Sequence, residues 1–67
     1  MTFKDLEKIL KKDGWYYYDT VGSHIQYKHK VKPGKVTIPK HRGDVKKGTL
    51  NSILKQARLK EEYKSLL

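Results

Sequence analysis

His24 is the residue of this chain whose type and position best suit proton transfer. It follows a glycine and a serine, Gly22-Ser23, which break the chain just before an alternating segment that predicts a β-strand. Successive side chains alternate across a strand, so Gln26 and Lys28 are expected to share the face of His24. The pattern therefore predicts an imidazole beside a cationic side chain on one face of a sheet.

An imidazole beside cations is a combination suited to the cleavage of RNA. RNA carries its own nucleophile, the 2′-hydroxyl, so cleavage needs a base near that proton, stabilisation of charge on the phosphorus and an acid for the leaving oxygen. Histidine exchanges protons in the physiological pH range. We predict that His24 is the base or the acid and that Lys28 and its neighbours bind the phosphate. The sequence has neither paired carboxylates for Mg²⁺ nor a His/Cys ligand spacing, so we expect no cofactor and a metal-independent reaction.

The charge of the chain favours a polyanionic partner. Its 16 Lys and Arg outnumber seven Asp and Glu, which gives a formal net charge of +9. Half of these cations lie between Lys28 and Lys47, a segment that contains a single acidic residue, Asp44. A solvated surface is not usually so unbalanced. We predict an RNA-binding surface made up of Ser23, Gln26, Lys28, Lys30, Lys40, His41 and Lys47.

Length and composition predict one small domain that spans residues 1–67. The chain has no cysteine, so neither disulfides nor thiolate metal sites are expected, and its core must depend on packing. No apolar run approaches the roughly 18 residues that a membrane span requires. We expect a cytoplasmic protein without a membrane partner.

A helix is predicted to begin at Thr2 and to end at Asp13-Gly14. The Thr2 hydroxyl and the Asp5 carboxylate form the pattern of a capping box, and glycine suits the left-handed conformation that closes a helix. Between these ends, apolar residues recur at helical spacing and predict one buried stripe. That stripe consists of Phe3, Leu6, Ile9 and Leu10.

The first strand is predicted at residues 15–18, which are all aromatic. Alternation allows two different pairs to face the core, Trp15 with Tyr17 or Tyr16 with Tyr18. We predict that Trp15 and Tyr17 are the buried pair. The other pair, if its face is open, is then available to stack on RNA or on a protein partner.

Two further strands are predicted to form a hairpin. The second strand covers residues 24–30, with Ile25 and Tyr27 facing inward. Pro33-Gly34 suits the centre of a type II turn, because proline fixes φ and glycine accepts a positive φ. The third strand, residues 35–38, alternates cleanly and stops at a proline.

A second helix is predicted to begin at Gly48-Thr49, and residues 60–67 are also compatible with a helix. The apolar stripe of this second helix consists of Leu50, Ile53, Leu54 and Ala57. The order helix, three antiparallel strands, helix predicts an α+β fold in which both helices pack on one face of the sheet. The opposite face would remain open for a ligand.

Four short motifs occur in order along nearly the whole chain: Gly14-Trp15, Gly22-Ser23-His24, Pro39-Lys40-His41 and the segment from Lys47-Gly48-Thr49-Leu50 to Gln56-Ala57. Together they resemble the HicA-type toxins of bacterial toxin–antitoxin pairs. The resemblance implies a fold like that of double-stranded-RNA-binding domains and the activity of an mRNA interferase. It also implies that His24 is catalytic and that a HicB-type antitoxin neutralises the toxin. The sequence departs from the family pattern at Arg58, where glycine is common, and this departure concerns the end of the second helix.

Other interpretations of the sequence predict different results. A non-catalytic RNA-binding module would retain its cellular effect without His24, and a structural or ribosome-associated basic protein would cause no growth arrest. The remaining histidines have separate interpretations. His29 is predicted to lie at the rim of the core or to pack in it, since it shares the face of Tyr27. His41 is predicted to lie near the phosphate path.

Overall fold

Two helices cover one face of a three-stranded antiparallel sheet in the computed structural model, which describes residues 1–40 and 43–67. This architecture confirms the predicted α+β fold. Within the described ranges, no helix is both long and apolar enough to cross a bilayer. The sheet order is β1-β2-β3. The elements are α1 (Phe3–Asp13), β1 (Trp15–Val21), β2 (His24–His29), β3 (Val36–Pro39), α2 (Lys47–Gln56) and a 3₁₀ turn (Lys64–Leu66).

The ends of α1 are those that the sequence predicts. Thr2 Oγ1 accepts a hydrogen bond from the backbone N–H of Asp5, and the Asp5 carboxylate accepts one from the backbone N–H of Thr2. The hydrogen bond from the Thr2 backbone N–H is the main reason why the pKa of the Asp5 carboxyl lies below its ordinary value. At the other end Gly14 has a φ of 106°, in the left-handed region. Both caps of the helix are therefore confirmed.

The core lies between the helices and the inner face of the sheet. Trp15 and Tyr27 belong to it, as predicted, and burial is the main reason why the pKa of the Tyr27 hydroxyl is raised. Ile9 and Ile25 are only partly buried and pack against its border. The buried apolar residues are Phe3, Leu6, Leu10, Trp15, Tyr27, Val36, Ile38, Val45, Leu50, Ile53, Leu54, Ala57 and Leu59.

Strand β1 differs from its prediction in length and in burial. It continues to Val21, and a register shift between Tyr17 and Asp19 interrupts its pairing with β2. Tyr17 pairs with Tyr27 and so lies on the inner face, yet it is 56% exposed. The prediction that Tyr17 is buried is wrong, because β1 is an edge strand whose burial is confined to Trp15 at its start.

The second helix also differs from its prediction at both ends. It begins at Lys47 after Lys46, whose side chain makes no capping hydrogen bond, so Gly48-Thr49 lies inside the first turn. Residues 60–67 do not continue the helix. They form irregular turns and the short 3₁₀ turn, because the backbone takes a left-handed conformation at Arg58 and the helix ends there.

Arg58 ends α2 in a Schellman motif. Its backbone N–H donates to the carbonyl of Lys55, and the N–H of Leu59 donates to the carbonyl of Leu54. Arg58 has a φ of 57°, and it is the one residue other than glycine with a positive φ among those described. This position normally favours glycine, since a Cβ is disfavoured in the left-handed region. The structure thus gives a physical reason for the glycine that the resemblance leads one to expect.

Replacing Arg58 by glycine is expected to raise the free energy of unfolding by about 1 kcal/mol, because the left-handed conformation no longer carries a Cβ. Urea denaturation of the purified chain measures this change. Arg58→Ala is the matched control, since it removes the same charge and keeps the Cβ. An equal gain from both variants would assign the effect to charge and contradict the backbone explanation.

His29 joins the end of α1 to the loop that follows β2. Its Nε2 lies 2.6 Å from the carbonyl oxygen of Asp13, and its Nδ1 accepts hydrogen bonds from the N–H groups of Val31 and Lys32, each at 3.0 Å. The imidazole is also edge-on to the Trp15 indole, with ring centroids 5.1 Å apart. His29 is half-buried beside the core and packs against Trp15, which agrees with its prediction as a residue of the core's rim.

Lys32 completes this junction. Its ammonium group lies 2.6 Å from the Asp13 carboxylate and 3.1 Å from the carbonyl oxygen of Ala57, at the end of α2. Lys32, one of the cations between Lys28 and Lys47, therefore holds α1, α2 and the loop before β3 together.

Candidate functional site

The face of the sheet opposite the helices is here called the open face. Residues paired across a sheet share a face, so the open face can be read from the pairing of β2 with its neighbours. His24 lies between Val21 and Pro39, and Gln26 lies between Asp19 and Thr37. Lys28 pairs with Tyr16. The structure thus places His24, Gln26 and Lys28 on the same face, as their alternation predicts.

His24 is the first residue of β2 and is exposed. The preceding turn is tight, and Gly22 in it has a φ of 60°, a conformation that glycine adopts readily. The backbone N–H of Lys40 donates to the carbonyl of Ser23 at 2.6 Å, which fixes the end of β3 beside this turn. Two backbone constraints therefore hold the strand end that presents the imidazole.

The two histidines that the structure describes have opposite environments. Both ring nitrogens of His29 are occupied by hydrogen bonds to the backbone. The ring of His24 has no hydrogen-bond partner within residues 1–40 and 43–67. An exposed imidazole with two free nitrogens can accept or donate a proton to a bound ligand. His24 is therefore the histidine of this pair that is available for chemistry.

The predicted binding residues are only partly brought together. Ser23 and Lys40 lie at the end of the sheet that carries His24, joined by the backbone hydrogen bond just described. Gln26 and Lys28 are half-buried along β2, and Lys30 is exposed just beyond its end.

One predicted residue does not join this group, and another lies outside the described residues. Lys47 begins α2 and belongs to the helical layer, where it lines a shallow groove with Gly48, Asn51, Lys60 and Leu67. His41 lies outside the described residues, so its place near the phosphate path stays a prediction.

Further along the open face lies a contact that sequence reasoning did not predict, between Tyr18, Lys28 and a residue that it did not single out, Lys35. The Lys28 ammonium nitrogen is 3.8 Å from the centroid of the Tyr18 ring, and that of Lys35 is 5.7 Å from it. Both distances are within the range of cation–π attraction. Lys35 precedes β3 and Tyr18 lies at the register shift of β1, so spacing along the chain gives no signal that these side chains meet.

Comparison with known proteins identifies the family of the chain. The search of curated proteins found no match. A family model described as the HicA toxin of bacterial toxin–antitoxin systems matches residues 3–59, which include both helices and the whole sheet. This match covers most of the chain and includes the turn that presents His24. The chain therefore belongs to the HicA toxin family and is the toxin type of component in a toxin–antitoxin system.

Proposed function

We propose that this chain is an endoribonuclease that cleaves mRNA and that His24 transfers a proton in the reaction. The observation that carries the proposal is the exposed imidazole at the start of β2, whose nitrogens are not engaged by the described residues and whose face also carries Lys28. Membership of the HicA toxin family supports the more general statement that the chain is a toxin paired with an antitoxin.

The proposed reaction uses the 2′-hydroxyl of the substrate as the nucleophile. A base removes its proton while the 2′-oxygen attacks the adjacent phosphorus, and the bond from phosphorus to the 5′-oxygen breaks as that oxygen takes up a proton. The products are a 2′,3′-cyclic phosphate and a 5′-hydroxyl. His24 is the base or the acid in this scheme, and Lys40, whose backbone lies at the same end of the sheet, supplies an ammonium group to stabilise the negative charge that develops on the phosphate.

A HicB-type antitoxin is the proposed protein partner, and the cytoplasm, where mRNA is translated, is the proposed location. The open face combines an accessible imidazole with Lys28 and Lys35, which form no ion pair with the described residues. A neutralising partner would present acidic or phosphate-like groups to this face and cover His24, since charge complementarity stabilises and orients such a complex.

The test of this function measures cleavage of two strands of the same sequence. One is RNA throughout, and the other carries a single 2′-deoxynucleotide on the 5′ side of the cleaved bond. The purified chain is expected to cut the RNA to a cyclic phosphate end and to leave the substituted position intact, because the nucleophile is missing there. Adding a HicB-type antitoxin should suppress the cleavage. Equal cutting of both strands would contradict the mechanism, and binding of RNA without any cleavage would favour the non-catalytic module.

A further inference from the structure

Tyr18 and two lysines form a cluster on the open face, separate from His24. The ammonium nitrogens of Lys28 and Lys35 lie 3.8 Å and 5.7 Å from the centroid of the Tyr18 ring. Tyr18 is 49% exposed, so the cluster is accessible from solvent. We call these three residues the Tyr18 cluster.

The fold assembles this cluster from three different segments. Tyr18 lies at the register shift of β1, where the extra residue has no direct partner on β2. Lys28 comes from β2, and Lys35 comes from the residue before β3. Bulges redirect side chains, and here the redirected ring attracts two cations that would otherwise repel each other.

The aromatic ring restricts where the ammonium groups can be. A free lysine side chain loses substantial rotamer freedom when it binds a ligand. Contact with the exposed Tyr18 ring holds the Lys28 ammonium group in place before a ligand arrives. Two prearranged ammonium groups form a binding site for an anion, because their side chains lose less conformational entropy when the anion binds.

The position of the cluster relative to His24 indicates which anion it suits. Lys28 is four residues from His24 on the same strand and the same face, a separation of about 13 Å at the rise of a β-strand. This backbone separation suits contacts with two different phosphates of one strand better than contacts with a single phosphate. A polyanion that reaches His24 would have to extend along β2 to reach the Tyr18 cluster.

We propose that Tyr18, Lys28 and Lys35 form a second phosphate subsite, which binds the RNA strand at a nucleotide other than the one cleaved at His24. This inference rests on the proposed function, because it places the scissile phosphate at His24. Lys28 and Lys35 contact the phosphate, and Tyr18 is a positioning residue that acts through Lys28. Single-stranded RNA is the occupant that this arrangement favours, since its phosphates repeat along the direction of the strand.

The experiment measures binding in the His24→Ala background, so that it does not depend on cleavage. The probe is a single-stranded RNA of about eight nucleotides, within the usual range for one small binding domain. Lys28→Gln and Lys35→Gln are each expected to weaken binding roughly fivefold near 0.1 M salt and to reduce the log–log salt slope by about 0.7, the value for one lost phosphate contact on a single strand. Lys8→Gln is the matched control, because Lys8 is exposed on α1 and carries the same charge.

Tyr18 variants separate positioning from general structure. Tyr18→Phe keeps the ring and is expected to bind RNA like the parent chain, whereas Tyr18→Leu should weaken binding about threefold through loss of the cation–π contact. In the active chain, Lys28→Gln should raise KM and leave kcat nearly unchanged, as expected for uniform binding away from the reacting atoms.

Each outcome decides the proposal. Binding by Lys28→Gln and Lys35→Gln equal to that of Lys8→Gln would overturn the subsite even if the chain cleaves RNA through His24. Weakened binding together with a parent chain that cleaves nothing would support the subsite and reject the proposed reaction. Loss of antitoxin affinity with unchanged RNA affinity would overturn it in favour of a protein interface, and failure of the parent chain to bind RNA would overturn both proposals.

Discussion

Replacing His24 by alanine is expected to lower the rate of RNA cleavage by roughly 10²–10⁴-fold, the usual contribution of a positioned general acid or base. The imidazole is exposed and has no hydrogen-bond partner among the described residues, so its removal should leave the fold intact. RNA affinity should also persist, because the substitution removes no lysine or arginine. Single-turnover cleavage and RNA binding, measured on the same preparations, separate these effects.

His24→Gln is the matched variant for this prediction. Glutamine retains a polar side chain that can hydrogen-bond a phosphate, but it cannot exchange a proton in the physiological range. It should be as inactive as the alanine variant. If His24→Gln retained cleavage near the parent rate, His24 would serve to bind the phosphate, and proton transfer would belong to another residue.

Replacing Gly14 by alanine is expected to lower the free energy of unfolding by about 2–4 kcal/mol, through the left-handed backbone and through crowding. Gly14 has a φ of 106°, and a Cβ there would lie 2.8 Å from Nε2 of His29. That imidazole cannot withdraw without breaking its contact with the Asp13 carbonyl oxygen and its two hydrogen bonds to backbone N–H groups. For a domain of this size the melting temperature should fall by roughly 15–30 °C.

Gly22→Ala is the control for the backbone part of this effect. Gly22 also has a positive φ, of 60°, but apart from its two chain neighbours no described residue has an atom within 4 Å of the Cβ that it would carry. Its substitution should therefore cost only about 1 kcal/mol. Equal losses of stability at the two positions would show that the contact with His29 contributes nothing and that the junction at Asp13 is not a rigid one.

Local signals in the sequence predict most of the fold. The capping box at Thr2 and Asp5, the left-handed Gly14 and the apolar stripes of both helices are all borne out, because each depends on neighbours along the chain. The exposure of Tyr17 was not predictable in this way. Alternation assigns it to the inner face correctly, but whether a helix covers that part of an edge strand depends on how far the helical layer extends.

In the candidate site, too, the features set by neighbours along the chain were predictable and those set by contacts between distant segments were not. Alternation places His24, Gln26 and Lys28 on one face because that property is local to β2. The Tyr18 cluster depends on a register shift and on contacts between separate strands, and neither leaves a pattern in the sequence. The role of His29 was likewise hidden, since its partners become neighbours only when α1 and the loop after β2 meet.

Induced expression of the parent chain and of His24→Ala in bacteria, with mRNA integrity followed by primer extension, tests the central claim most directly. We predict growth arrest and new mRNA ends with the parent chain and neither with the variant, at equal protein levels. The loss of one imidazole barely changes a net charge of +9, so this difference would assign the effect to chemistry at His24. Equal arrest and equal mRNA cleavage from both chains would contradict the account and remove His24 from the reaction.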